Sequence, residues 1–317
     1  MDQFPARTRH YRDFYAPRTD APDRDRPLWL VVGNCQAEAL RRVLDDVPAR
    51  PYRTARIPPV HELTDSDLPH LHALLAQTKV LLSQPIRPDY RDLPLGTRQL
   101  VAQLPSGATC VRWPVIRDAG LYPFQVIVRR PADRSVTPPV VPYHDLRTIA
   151  AARHGRAPTD PWDVEVTAEQ IRSAAAVSRG ELAMREQRDC DVGISDVLPA
   201  LGIGAAHTIN HPGNDVFYAL ARRILDQVGL PPVIAPVDTV LLSSVSAPLE
   251  ARVLSALGLT GTPQPNWRHD GNTITPDAVH AAQLQWYRRN PDFLDLAEQR
   301  HRNVMDVLGF RVTREEP

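Results

Sequence analysis

The sequence predicts an α/β fold, a three-layer parallel sheet with helices on both faces, followed by a mainly helical C-terminal region. Short apolar runs alternate with amphipathic helical patterns from Leu28 to Trp113, as in βαβ units. Polar residues stand directly after several of those runs, where α/β sheets bind ligands. Beyond Pro231-Pro232 the pattern turns almost entirely helical.

Leu28–Val32 is the first strand and Ala37–Val47 the first helix. Tyr52–Ile57 reads as a second strand, then Asp65–Gln77 as a helix with Asp65 or Ser66 as N-cap. Val80–Ser83, Thr97–Leu104 and Thr109–Trp113 continue as strand, helix, strand, and Gln125–Arg130 as a further strand. Pro131–Pro142 holds four prolines and is a loop. Helices follow at Tyr143–Arg153, Thr167–Arg188, Asp215–Val228, Pro248–Leu257, Pro276–Arg289 and Asp292–Leu308. The domain reading is a mobile arm over 1–26, an α/β catalytic core over 27–235, and a helical region over 236–317 packed on that core. The arm is rich in Arg, Asp and Pro without periodicity.

Lys+Arg and Asp+Glu both total 37, so no charge bias points to nucleic acid. Lys79 is the only lysine, which leaves little scope for Schiff-base chemistry. There is no apolar signal segment and no 18-residue apolar run, so a cytoplasmic chain without a membrane span is expected. The three cysteines are too few and too scattered for a disulfide framework or a CxxC site. His207 and His211 share the spacing of an HExxH site, but Pro212 breaks the helix it needs, and His70 and His72 point in different directions. No metal is expected. Gly202-Ile203-Gly204 and Gly258-Leu259-Thr260-Gly261 do not sit between a strand and a helix, so no dinucleotide fingerprint is present.

Two segments carry chemistry. In Val31-Val32-Gly33-Asn34-Cys35-Gln36 a buried strand ends in a tight turn, and Cys35 stands where a helix begins. The N–H groups and dipole of that terminus favour a thiolate and can hold an oxyanion. The alternative is a small cysteine that only packs. In Asn210-His211-Pro212-Gly213, Pro212 keeps His211 out of the helix, and the next helix's N-terminus favours neutral imidazole. His211 is therefore a candidate general base, or else a turn residue that caps a backbone group. Tyr143-His144-Asp145 is either an orienting or substrate-contacting group or a plain N-terminal cap. Gln84, Arg87, Asp89, Tyr90 and Arg91 form a polar loop suited to ligand contacts. Cys110 reads as core, and Cys190 lies between Asp189 and Asp191, whose charges oppose a thiolate.

Taken in order, these segments resemble the WcbI-like family of capsular polysaccharide biosynthesis proteins. The matching pieces are Val31–Gln36, Ser83–Arg91, Pro142–Asp145, Arg185-Glu186, Asp191–Asp196 and Ile209–Pro212. The resemblance runs from about Leu28 to Leu230. It implies a coenzyme A-binding acyltransferase that acetylates sugars through a cysteine–histidine site. Cys35 would be the nucleophile and His211 the base, with Asn34, Gln36, Gln84 and His144 lining the pocket and the third catalytic residue open. The turn is also similar to the first block of SGNH hydrolases, with Asn34 and Cys35 in place of Asp and Ser, and Thr208 where those enzymes carry Asp. That likeness implies a three-layer sheet of the SGNH/flavodoxin-like kind.

The function expected is transfer of an acyl group from acyl-CoA, or from an acyl carrier protein's thioester, through Cys35. The acceptor would be a hydroxyl or amine of a small, polar, sugar-like molecule. Coenzyme A is the co-substrate, with Arg87, Arg91 and Arg112 as candidates for its phosphates. A cysteine-dependent SGNH-like hydrolase or thioesterase, and a non-catalytic sugar- or nucleotide-binding module, are the alternatives.

Overall fold

The apolar run Leu28–Val32 forms strand β1, and all five of its side chains are buried. Burial on both faces requires a sheet covered on both sides, as parallel sheets are. In the computed structural model, which describes residues 6–16 and 23–310, β1 lies in a four-stranded sheet. Its neighbours are β2 (Arg53–Thr54), β3 (Thr78–Ser83) and β4 (Thr109–Arg112), in the order β2-β1-β3-β4, all parallel. The chain steps from β1 to one side and then returns to β3 on the other. The carboxyl ends of β1 and β3 therefore flank the topological switch point, where such sheets take their ligands. The sequence-predicted α/β class is the class observed.

The strand's period of two assigns its side chains to opposite faces. Leu28, Leu30 and Val32 join Leu71, Leu74 and Leu75 of the Leu68–Leu75 helix in one core. On the other face Trp29 stacks on Tyr52 at 3.9 Å, and the Tyr52 hydroxyl donates to the Leu44 carbonyl of the Cys35–Asp45 helix. That helix packs in turn on Asn214–Gln227. Each fully buried Leu or Val contributes about 1.5–3 kcal/mol.

Several boundaries differ from the sequence reading. The second strand keeps only Arg53–Thr54, because Pro58 and Pro59 follow closely and only two residues pair with β1. The Asp65–Gln77 helix is a 3-10 turn at Asp65–Asp67 leading into Leu68–Leu75. Thr64 precedes it, and its N–H donates to the Asp67 carboxylate at 2.9 Å. Gln125–Val126 is a short strand antiparallel to His144–Asp145, so the next helix starts at Leu146, capped by Asp145.

The sequence reading of 1–26 as a mobile arm falls partly on residues outside the described ones. Residues 1–5 and 17–22 lie outside the described residues, but 6–16 form two short helices. Phe14 is buried with Leu71 and Leu74, and Tyr15 and Arg7 both bond the Asp67 carboxylate. Tyr11, Phe14 and Tyr15 supply the helical spacing that holds this segment.

By contacts the chain forms two units rather than a core and a helical tail. One comprises Met1–Ile116, Ala183–Leu201 and Pro212–Leu242, and the other Arg117–Leu182, Gly202–His211 and Ser243–Pro317. The second unit's core joins Phe124, Val128, Leu146, Ile149 and Ile171 to Val253, Tyr287, Phe293 and Met305. The C-terminal helices thus share one interior with residues 124–174. This unit also holds a three-stranded antiparallel sheet with Trp267–His269 between Val245–Ser246 and Asn272–Ile274. Arg147 is almost fully buried in it, paired with Asp145, Asp163 and Glu250 and lying over the rings of Phe124 and Trp162. Among the described residues no helix is long and apolar enough to cross a membrane.

Candidate active site

The turn after β1 is built by its own polar groups. Asn34 is the N-cap of the Cys35–Asp45 helix, its Oδ1 accepting from the Gln36 N–H at 2.9 Å. The Asn34 N–H donates to Gln84 Oε1 at 2.8 Å, just past the end of β3. That bond fixes the orientation of both glutamine amides. With Gln84 Oε1 accepting, Gln84 Nε2 donates to Gln36 Oε1 at 3.1 Å. Gln36 Oε1 also accepts from the Ile116 N–H at 3.0 Å, so Gln36 Nε2 donates to the Ile116 carbonyl at 2.7 Å. Gly33 is required here, because a Cβ would stand 2.5 Å from Gln84 Oε1.

This network revises two expectations. Gln36 and Gln84 are fully and almost fully buried, and their amides are committed within the fold. They brace the turn rather than line an open pocket. The thiolate expectation changes as well. Cys35 is partly exposed at the first turn of its helix, and burial pushes its thiol above the ordinary value. The N–H groups of Cys35 and Gln36 both act on the sulfur and lower it, and the Glu62 charge raises it. Burial outweighs the helix terminus, so Cys35 rests as a thiol and needs a base at the moment of attack. Burial pushes the other two thiols up further, Cys110 to about 11 and Cys190 to about 12, with carboxylates adding to both.

Sequence reasoning does not single out Glu62. Its segment is laid on the turn by the Val60 N–H, which donates to the Gly33 carbonyl at 2.8 Å. Arg91 clamps the same segment, donating to the His61 carbonyl at 2.7 Å from a loop where Asp89, Arg91 and Asp92 all have positive φ. A His-Glu pair just past Ile57-Pro58-Pro59, beyond the end of the second strand, is the available signal. Arg91 is thus engaged within the fold. Arg112 is too, holding Asp191 through its backbone N–H and two guanidinium nitrogens. Arg87 is exposed.

The Arg185–Asp196 pieces prove to be scaffolding. Glu186 is buried and accepts from the N–H groups of Ile194 and Ser195 and from the Ser195 hydroxyl. A Cβ on Gly193 would stand 2.8 Å from that carboxylate. Arg223 bonds both Asp196 oxygens and the Gly193 carbonyl.

His211 and His144 belong to the second unit. Burial, helped by His207, lowers the His211 pKa to about 4, and a backbone hydrogen bond at Val245 opposes the fall. Nδ1 is buried without a partner, so that bond falls to Nε2 and the neutral ring keeps its lone pair at Nδ1. The turn before it is held by Tyr143, whose hydroxyl donates to Asn210 Oδ1 and lies 2.9 Å from Thr208 Oγ1. His144 is placed otherwise than the pocket position the resemblance implied. It is 1% exposed, shares a hydrogen bond with the Tyr287 hydroxyl, and stacks on Tyr287 and Phe293. Burial brings it to about 3, and Arg129 adds to that fall. Among the described residues no three His, Cys, Asp or Glu side chains gather as a metal site.

The comparisons agree with this architecture. A search of curated proteins returned no match. A solved structure described as WcbI, a novel polysaccharide biosynthesis enzyme, is similar with a TM-score of 0.75 at 17% identity, over 90% of this chain and 99% of that one. It is described as the native protein without a disulfide bond between coenzyme A and one of its cysteines. That likeness shows the fold. Residues 28–233, which span the braced Gly33–Gln36 turn, the Glu186 clamp and the His211 turn, match the family described as polysaccharide biosynthesis enzyme WcbI. The chain therefore belongs to the WcbI family of polysaccharide biosynthesis enzymes.

Proposed function

We propose that this chain transfers an acyl group from coenzyme A, or from a carrier protein's thioester, through Cys35 to a hydroxyl or amine of a polar, sugar-like acceptor. The observation that carries the reading is the placement of Cys35. It stands at the carboxyl edge of β1, on the first turn of a helix, with two backbone N–H groups acting on its sulfur. Such donors stabilise the oxyanion of a tetrahedral intermediate. The family assignment supports an enzyme. The description of the similar solved structure, which names coenzyme A together with a cysteine, supports the donor.

In this reading a general base, the role proposed for His211, takes the thiol proton as Cys35 Sγ attacks the thioester carbonyl. Collapse of the intermediate expels the coenzyme A thiolate, which receives that proton. The acceptor then attacks the acyl-cysteine, its proton passing to that base and on to the departing Cys35 sulfur. A neutral imidazole and a resting thiol suit this order of events.

The rate of Cys35 alkylation against pH, in wild type and His211→Asn, tests the pairing. The rate at neutral pH should fall in the variant by roughly two orders of magnitude or more. Superimposed profiles would remove His211 as the base.

A further inference from the structure

We infer that Arg129 is an anion-binding residue of the second unit, placed to hold a phosphate group of the ligand beside the turn that carries His211. The inference deepens the acyl-transfer reading and rests on it for the identity of the ligand.

Arg129 is half-buried, yet among the described residues it forms no ion pair. Its side chain has one hydrogen bond, 3.4 Å to the carbonyl of the adjacent Val128. Four other arginines around this core are matched by carboxylates. Arg130 pairs with Asp292, Arg147 with three acids, Arg153 with Asp295 and Glu298, and Arg252 with Glu250 and Asp163. Taking a guanidinium out of water without a counter-ion is costly, and burial alone pushes the Arg129 pKa down.

Its surroundings add positive charge. The Arg300 guanidinium donates to the Arg129 carbonyl at 2.7 Å. The next residue, His301, interrupts the Asp292–Leu308 helix, with Nε2 buried and unpartnered, and Arg117 and Arg300 both act on it. Arg129 also acts on His144, and the one group that favours its charge is the phenol of Tyr143. That phenol bonds Asn210, the residue before His211. An uncompensated guanidinium beside this turn, with further cations nearby, suits an anion of more than one charge that can accept two parallel N–H bonds. A phosphate group meets both needs. It could come from coenzyme A or from a phosphorylated sugar acceptor.

The test is calorimetric titration of the full chain, as wild type, Arg129→Gln and Arg129→Lys, with pyrophosphate, coenzyme A, pantetheine and a sugar 1-phosphate. Pyrophosphate should bind wild type and lose roughly tenfold or more in affinity in Arg129→Gln. Arg129→Lys should recover part of the loss, and pantetheine should bind all three alike. Alongside the pyrophosphate loss, a loss shared by coenzyme A alone or by the sugar phosphate alone names the source. Equal binding of every phosphate ligand to wild type and Arg129→Gln, or no phosphate binding to wild type, would overturn the inference. If Arg129→Gln does not fold, the comparison of wild type with Arg129→Lys decides, with equal affinities counting against it. Coenzyme A binding with no phosphate ligand sensing Arg129 would sink the anion site and spare the donor. Arg129-dependent pyrophosphate binding without coenzyme A binding would do the reverse.

Discussion

The Gln84 side chain fills the place where a Cβ on Gly33 would stand, its Oε1 2.5 Å from that position. The same oxygen accepts the Asn34 N–H, so the absence of one side chain lets another brace the Cys35 turn. Gly33→Ala should expel the amide and leave buried polar groups unpaired, at a cost of about 1–3 kcal/mol, as should Gln84→Leu. Because both changes break one network, the double variant should lose less than the sum. Chemical denaturation of the four proteins measures this.

Glu62 raises the Cys35 thiol, so removing its charge should ease thiolate formation. Glu62→Gln is expected to move the alkylation profile of Cys35 to lower pH and speed alkylation at neutral pH. Iodoacetamide kinetics across pH provide the measurement, and an unmoved midpoint would count against the assignment.

Acid should weaken the second unit. His144, His211 and His301 titrate at about 3, 4 and 4 in the folded chain, against an ordinary 6.5. Between those values the unfolded chain binds more protons than the folded one, so stability falls as pH drops from about 6.5 toward 4. The melting temperature should follow that slope, and His144→Gln should flatten it. A melting temperature independent of pH over this window would contradict the neutral state of these three imidazoles.

Arg147 holds three carboxylates in the second unit and is only 6% exposed. Arg147→Met should leave Asp145 without its counter-charge and Asp163 and Glu250 with Arg252 alone, at a cost of about 3–5 kcal/mol. Urea denaturation of the variant measures the loss.

The parallel sheet and its active edge are legible in the sequence because Leu28–Val32 is wholly apolar and ends in Gly33-Asn34, a local pattern. What joins distant segments is not. Gln36 and Gln84 are visible as edge amides, but their bond spans 48 positions, and it makes them braces. The division into units escapes reading for the same reason, since Phe124 and Ile149 find their core partners at Val253 and Phe293. Arg112 and Arg129 look alike in sequence. Only the fold gives Asp191 to the first and leaves the second without an acid among the described residues. The helix terminus at Cys35 is legible, and the burial that outweighs it is not.

The central claim is that Cys35 carries the acyl group. Intact-protein and peptide mass spectrometry after brief incubation with acetyl-CoA and an acid quench tests it most directly. An acetyl adduct is expected on the peptide containing Cys35, absent in Cys35→Ala and discharged when acceptor is added. Turnover by Cys35→Ala within a few fold of wild type, or turnover with the adduct never forming, would contradict it.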